Sequence, residues 1–280
     1  MNLYSINTGH FKLDGGAMFG VVPKSIWNKL NPADENNMCS WALRCLLIED
    51  GNRLILVDNG MGTKQDAKFF SYYFLHGNDS LEKSLNNHGF TSSDITDMVL
   101  THLHFDHCGG SIVYNSDKSI LEPAFKNAKY YCNEKHWEWA THPNPREKAS
   151  FLKENIMPIK ESGQLNFIDS TSKLIDNLSF IEVNGHTEAM MLPIIKHKDN
   201  TIAFMADLIP SAAHLPIPYV MGYDTRPLET LKEKERVLNT ALENNWTLFF
   251  EHDPLIECVQ LEKTEKGIRK KESFLLSDVI

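Results

Sequence analysis

A histidine-rich segment that directly follows a short apolar run limits the possible folds of this chain more than any other feature. The run 97–101 has the length and composition of a buried strand. The residues that follow, His102-Leu103-His104-Phe105-Asp106-His107-Cys108-Gly109-Gly110, are too polar to continue into a core. We therefore expect a strand that ends abruptly at a loop rich in ligating side chains.

Four side chains of this segment can bind metal ions, namely His102, His104, Asp106 and His107. Alternate residues of an extended chain point the same way, so the first two can converge on one ion while the other two turn towards a neighbour. Imidazole and carboxylate groups suit zinc, and iron, manganese or cobalt are also possible. A single buried histidine is more often hydrogen-bonded core, but four such residues together indicate a metal site.

Three more ligating residues follow predicted strands elsewhere in the chain: His186, Asp207 and His252. Side chains that follow separate strands can meet at one edge of a sheet. Seven ligands exceed the four of a single tetrahedral zinc and suit two ions that share a carboxylate and a hydroxide. The residues therefore predict a pair of metal ions.

The rest of the sequence mixes predicted strands and helices and contains no linker or low-complexity tract. Two apolar runs flank Asp50-Gly51-Asn52 and predict a hairpin. Helices are expected at 67–75, 80–88, 146–161 and 228–244, and strands at 41–49, 53–58, 129–132, 178–183, 190–196, 201–205, 246–250, 256–262 and 268–275. This mixture predicts sheets covered by helices in a single domain, 1–280, with 1–40 as a leading segment.

Composition and charge exclude several classes of function. The formal net charge of −9, with no cluster of Lys and Arg, argues against nucleic acid as a partner. No apolar stretch reaches the roughly 18 residues of a membrane span, and no signal peptide is visible, so we expect a cytoplasmic protein without a membrane partner. The five cysteines are scattered and odd in number, which favours reduced packing residues. A small-molecule substrate is the expected partner.

Taken together, the ligand motifs resemble the metallo-β-lactamase superfamily. The resemblance covers about 41–252 and rests on His102-Leu103-His104-Phe105-Asp106-His107, Gly185-His186-Thr187, Met205-Ala206-Asp207 and Glu251-His252-Asp253, in that order. It implies a mixed α/β fold, the four-layer αββα sandwich, with the metals at one edge between two sheets. It also implies two zinc ions per chain, one held by His102, His104 and His186, the other by Asp106, His107 and His252, with Asp207 between them.

A bridging aspartate resembles the hydrolase branches of the superfamily, among them the N-acyl homoserine lactonases and the methyl-parathion-hydrolase-like enzymes. The implied reaction is attack of a metal-bridged hydroxide, whose pKa falls to about 7, on a lactone or ester carbonyl. Asp106, as a proton relay, and Asp207 are the expected catalytic residues. Asp58 is either a partner that orients a ligating histidine or a simple turn residue.

N-acyl homoserine lactone is the preferred substrate, with phosphotriesters or thioesters as alternatives. A mononuclear iron dioxygenase and a metal-binding sensor without turnover are minority alternatives. The chain departs from the lactonases at Leu208-Ile209-Pro210, where they place a tyrosine, although Tyr219 or Tyr223 could supply a phenol.

The leading segment around 15–23 resembles one that walls the pocket and the dimer contact in larger lactonases, with a plain edge strand as the alternative. A homodimer is therefore possible. The residues expected to line the substrate pocket are Phe105, Met18, Phe19, Met190 and Tyr223.

Overall fold

Two six-stranded sheets lie face to face in the computed structural model, which describes residues 1–280. The strands are β1 (Asn2–Asp14), β2 (Met38–Asp50), β3 (Arg53–Val57), β4 (Asp97–Val99), β5 (Ile112–Tyr114), β6 (Leu121–Pro123), β7 (Lys129–Asn133), β8 (Leu165–Ile168), β9 (Leu178–Val183), β10 (Met190–His197), β11 (Asn200–Phe204), β12 (Thr247–Phe249), β13 (Cys258–Thr264) and β14 (Gly267–Phe274).

The first sheet has the strand order β1-β2-β3-β4-β7-β8, and the second has the order β14-β13-β12-β11-β10-β9. In the first sheet, β1 to β3 are antiparallel and the strands from β3 to β8 are parallel. In the second, only β11 and β12 are parallel. Strands β5 and β6 form a separate hairpin.

Eight α-helices connect or cover these strands. They are α1 (Gly15–Phe19), α2 (Lys24–Trp27), α3 (Ala67–Tyr73), α4 (Leu81–Asn87), α5 (Phe105–Cys108), α6 (Glu134–Thr141), α7 (Lys153–Glu161) and α8 (Pro227–Glu243). Helix α8 begins with a proline, whose missing N–H is one that the first turn leaves unpaired in any case. None of the helices is both long enough and apolar enough to cross a membrane.

The apolar core lies mainly between the two sheets. Val57 from the first sheet and Phe204 and Phe249 from the second belong to the same buried cluster. A second cluster fills the space between the outer face of the first sheet and α4, α6 and α7. Residues of α8, including Val237 and Leu238, cover the second sheet. Helix, sheet, sheet and helix thus form four layers, and the predicted αββα sandwich is confirmed.

Most predicted elements are correct, including the hairpin at Gly51 and the helices now named α3, α4 and α8. The helix predicted at 146–161 is wrong over its first half, and only its second half, α7, is helical. The side-chain oxygen of Asn144 accepts hydrogen bonds from the main-chain N–H groups of Arg146 and Glu147, and the Ser150 carbonyl accepts one from the Phe105 N–H. These bonds hold the stretch before α7 as turns beside the ligand segment.

Strand β1 was missed because its burial does not alternate strictly and a bulge interrupts it between Asn7 and His10. The segment 15–23, for which an edge strand was one alternative, is instead the short helix α1 followed by a turn. The five cysteines are all buried and unpaired, as predicted.

Candidate metal centre

Loops that follow four strands meet at one edge of the sandwich. They follow β4 in the first sheet and β9, β11 and β12 in the second. All seven predicted ligating residues lie in the segments that follow these strands, with Asp106 and His107 in the short helix α5, and their ligand atoms form two groups, each within 4.8 Å. Group 1 contains His102, His104, His186 and Asp207, and group 2 contains Asp106, His107 and His252.

Three imidazole nitrogens converge in group 1. His104 Nδ1 lies 3.1 Å from His102 Nε2 and 3.2 Å from His186 Nε2. Asp207 Oδ2 approaches His186 Nε2 to 3.1 Å and His102 Nε2 to 3.9 Å. All four side chains are buried.

Group 2 has a similar arrangement on the other side of Asp207. His107 Nε2 and His252 Nε2 are 3.2 Å apart, and Asp106 Oδ2 lies 3.8 Å from each of them. The second carboxylate oxygen of Asp207, Oδ1, lies 3.1 Å from His252 Nε2. The two oxygens of one carboxylate therefore have their nearest histidines in different groups.

The orientation of the rings is compatible with a cation in each group. His252 Nδ1 lies 2.8 Å from the Ala42 carbonyl oxygen, which only accepts, so this nitrogen carries the proton and Nε2 of a neutral ring is a lone pair. His186 Nδ1 lies 3.0 Å from Asp224 Oδ1 and is fixed in the same way. The inner nitrogens thus face one another at 3.1–3.2 Å within each group, and Asp207 Oδ1 has no hydrogen-bond partner. A bound cation would satisfy all of these atoms.

Buried acceptors hold the outer nitrogens of the histidines. At His186 Nδ1 the only carboxylate is Asp224, whereas two carboxyl groups, Asp58 and Glu251, approach His107 Nδ1, at 3.1 and 3.0 Å. Asp58 also accepts from the N–H and hydroxyl groups of Thr101, so it links β3 to the ligand loop. Asp58 therefore orients a histidine, and it also occupies a turn, with φ of 56°.

Burial and neighbouring charges divide the histidines into two sets. Burial lowers the pKa of His102 and His104, so both rings are neutral and available as ligands. Burial opposes protonation of His186 too, but the charges of Asp207 and Asp224 raise its pKa to about 10. The pKa values of His107 and His252 are raised as well, against burial, by Glu251 and Asp207 at the former and by Asp207 at the latter.

Glu251 is a buried carboxyl group beside this cluster. Burial raises its pKa to about 8; His107 opposes this effect and Asp58 reinforces it. Because two carboxyl groups share the single N–H of His107, keeping one of them neutral relieves the repulsion between them. The buried Glu147 lies 3.5 Å from His104 Nε2 and accepts a hydrogen bond from Thr187 at 2.6 Å.

Close backbone contacts fix the ligand loop in place. A Cβ atom at Gly109 or Gly110 would overlap the carbonyl oxygen of Met61 or Asn59, so only glycine allows the loop after β3 to pass this close. Ala206, directly before the aspartate shared by the groups, has φ of 40°, a left-handed conformation that costs energy for a residue with a Cβ.

A cavity of about 360 Å³ opens onto the two groups. Its apolar lining includes Leu13, Met18, Phe105, Met221 and Tyr223, and its polar lining includes Arg146 and Glu147. This volume lies within the range of pockets that bind small organic molecules. Burial raises the pKa of Tyr223 above its usual range, and the charge of Asp106 adds to the effect, so the phenol keeps its proton.

Of the five residues predicted to line the pocket, Phe105, Met18 and Tyr223 lie on the cavity. The structure places the other two elsewhere. Phe19 stacks on Trp27 and His214, and Met190 is buried in the core between the sheets. Tyr219 packs against the apolar cluster of the leading segment.

Several residues of the site carried no usable sequence signal. Asp224, Glu147 and Arg146 follow no motif, and part of that region was predicted to be helical. Glu251 could have been predicted as a site residue, because it stands directly before His252 in the motif Glu251-His252-Asp253.

Comparisons with known proteins bear on this arrangement. The sequence model of the metallo-beta-lactamase superfamily matches residues 44–252. An N-acyl homoserine lactonase of Bacillus cereus is 23% identical over 266 residues, which is 90% of this chain and 92% of the lactonase. An N-acyl homoserine lactonase of Bacillus thuringiensis is 24% identical over 266 residues, with the same coverage of both chains.

Solved structures share the fold over nearly the whole chain. A probable metal-dependent hydrolase from Staphylococcus aureus has a TM-score of 0.89 and 25% identity, covering 100% of this chain and 98% of its own. AidC, a dizinc quorum-quenching lactonase in complex with a product, N-hexanoyl-L-homoserine, has a TM-score of 0.79 and 21% identity, with 98% and 95% covered. The hydrolase AbOPH has a TM-score of 0.77 and 20% identity, with 96% and 92% covered.

Proposed function

Because this chain belongs to the metallo-beta-lactamase superfamily and is a hydrolase, we propose that it binds two zinc ions and opens lactones or related carboxylic esters. N-acyl homoserine lactones are the substrates that we favour. The mononuclear iron dioxygenase and the sensor without turnover are weaker proposals, because seven ligating side chains surround two separate points.

The position of Asp207 is the observation that carries this proposal. Its two oxygens lie 3.1 Å from His186 in group 1 and 3.1 Å from His252 in group 2. A carboxylate placed in this way can bridge two ions, while the remaining six ligands divide three and three between the groups. Imidazole and carboxylate donors without a thiolate suit zinc, as they also suit iron and manganese.

Two bound zinc ions would lower the pKa of water to about 7 and polarise a carbonyl oxygen. The chain's own residues supply the rest of the site. Asp106 lines the cavity beside group 2, and we propose that its carboxylate takes up or relays the proton of the attacking water. Asp224, Asp58 and Glu251 fix the histidines so that their inner nitrogens face the ions.

The lining of the cavity supports a substrate with an apolar chain. Leu13, Met18, Phe105 and Met221 can receive an acyl group beside the ligands. The curated relatives at 23–24% identity are N-acyl homoserine lactonases, and AidC binds N-hexanoyl-L-homoserine. We propose that Tyr223 donates a hydrogen bond to the substrate in place of the tyrosine that is absent after Asp207.

A phosphotriester is the second candidate substrate. Leu208 and Ile209 are buried apolar residues where the lactonases have their tyrosine, so the site lacks that phenol at its usual place. The same metal chemistry acts on phosphoryl and carbonyl groups, and an apolar pocket discriminates by only about 10- to 200-fold per methylene.

Two measurements test the proposal. Elemental analysis should give two zinc equivalents per chain after reconstitution, and a single iron with no second site would contradict it. The value of kcat/KM should rise with acyl length across N-acyl homoserine lactones. Negligible lactone cleavage beside fast hydrolysis of methyl parathion or a thioester would overturn the lactonase assignment and leave the metal-dependent hydrolase standing.

A further inference from the structure

Lys234 on α8 is a fully buried lysine whose hydrogen-bond partners are all main-chain carbonyls. Its ammonium group donates to the carbonyl oxygens of His214, Pro216, Ile217 and Tyr219, at 2.7, 3.0, 3.3 and 2.7 Å. It forms no ion pair with a carboxylate, and burial lowers its pKa to about 7, an effect that the charge of Asp224 opposes. Four carbonyl dipoles therefore point at one positive charge, an arrangement that resembles a site for a monovalent cation.

These four carbonyls belong to the segment 214–223, which we call the wall loop. Its last residues, Met221, Gly222 and Tyr223, line the cavity above the ligating groups. The loop contains no β-strand that could fix its backbone, and only its first residue ends a short 3₁₀ turn. Its carbonyls at 214, 216, 217 and 219 turn towards the buried ammonium group of Lys234.

The wall loop is also tied to the leading segment, which forms the facing part of the wall. The ring of His214 lies 2.9 Å from the Met18 carbonyl oxygen, and the Gly222 N–H donates to the Ala17 carbonyl at 2.7 Å. Met18 and Met221 share one apolar cluster with Phe105. The loop ends before Asp224, and the next two residues are held in place, because the N–H groups of Thr225 and Arg226 donate to the carbonyls of His186 and Gly185. A shift of the wall loop would therefore move the apolar side of the cavity while Asp224 stays beside His186.

Burying an ammonium group costs much more than burying an apolar chain of the same length. A methionine in this place would fill the space, but it would leave the carbonyl groups of His214, Ile217 and Tyr219 without a donor, while Pro216 keeps the N–H of Tyr219. The lysine is thus needed for the path of the loop, since the carbonyl oxygens repel one another unless a cation lies between them.

We propose that Lys234 is an internal cation that positions the wall loop and so determines which substrates fit the cavity. It acts on the substrate through Met221 and Tyr223 and leaves the metal centre unchanged. The proposal rests on the proposed function only in the choice of substrates for the assay.

The test compares Lys234→Met with Lys232→Met, which removes an exposed lysine two residues away on the same helix. For Lys234→Met we expect KM for a long-chain lactone to rise by about 10- to 100-fold. Turnover of a small ester such as phenyl acetate, and the metal content, should stay within about twofold, because the ligating residues do not move. Lys232→Met should match the wild type in every measurement.

A second variant, Lys234→Ala, leaves room for an added cation and keeps the proposal testable if the methionine variant does not fold. Ammonium, methylammonium or potassium ions should lower its KM towards the wild-type value, whereas tetramethylammonium, which is too large and has no N–H, should not. Hydrogen exchange at 214–223 should be faster in Lys234→Ala than in the wild type, and ammonium should slow it again. This measurement does not depend on any substrate.

Three results would overturn the proposal: an equal loss of kcat for all esters together with a loss of metal, unchanged hydrogen exchange in the wall loop, or no response to any cation. If the wild type cleaves no lactone but the exchange rates respond to ammonium as expected, the proposed substrate is wrong and the role of Lys234 stands.

Discussion

Replacing Asp224 by alanine should weaken metal binding in one group only. Asp224 is the single acceptor for His186 Nδ1, at 3.0 Å, and it is almost completely buried. The loss of one buried hydrogen bond to a charged group costs about 1.5–3 kcal/mol, which corresponds to roughly 10- to 100-fold in affinity. The same range is typical when a group that orients a metal-bound histidine is removed.

The assay is a competition titration of the metal-free protein against a zinc chelator, which resolves the two binding steps. In Asp224→Ala one equivalent should bind 10- to 100-fold more weakly, in the range given by the cost of the lost hydrogen bond. Asp224→Asn keeps an acceptor without the charge and should lose less. Asp176→Ala, which replaces an exposed aspartate, is the control.

Asp58→Ala should lose less zinc affinity than Asp224→Ala, because a second carboxyl group, that of Glu251, also approaches His107 Nδ1, at 3.0 Å. The reasoning would be refuted if the affinities for both zinc equivalents fell to the same extent in Asp224→Ala, or if neither affinity fell.

Asp207→Ala should abolish turnover and bind metal more weakly while its circular dichroism spectrum stays unchanged; near wild-type activity would rule out the bridge. Zinc binding should release up to three protons at pH 7, because His107, His186 and His252 have raised pKa values in the metal-free protein and a ligand must be deprotonated. The affinity for zinc should therefore fall as the pH is lowered. Calorimetry in buffers of different ionisation enthalpy counts the released protons as the slope of the observed binding enthalpy against the ionisation enthalpy of the buffer, and a slope of zero would contradict this. Gly109→Ala should lower the free energy of unfolding in urea by about 1–3 kcal/mol, because its methyl group would overlap a neighbouring carbonyl oxygen; an unchanged midpoint would disprove the close contact.

The grouping of the seven ligating side chains could be predicted from the sequence because each follows a run that is plainly apolar. His186, Asp207 and His252 each stand three residues beyond the ends of β9, β11 and β12. The ends of neighbouring strands bring such residues to one edge, whatever the length of the chain between them. The main elements of the sandwich were predictable for the same reason.

The residues around the ligands could not be predicted in this way. Asp224 and Glu147 lie in turns whose paths depend on packing, and no periodic pattern marks them. The partners of Lys234 are main-chain carbonyls, which every residue has and which therefore leave no trace in the sequence. Strand β1 was missed because its partly exposed residues follow no strict alternation.

The seven candidate ligating residues are divided between the two sheets, and with metal bound this division would have a consequence for folding. The first sheet supplies His102, His104, Asp106 and His107, and the second supplies the other three ligating residues. Neither half alone can complete group 1 or group 2, so an intermediate in which only one sheet has formed can hold a metal ion only weakly. A tightly bound ion would then stabilise the docking of one sheet on the other. Its removal should loosen the sandwich along the interface between the sheets before either sheet unfolds.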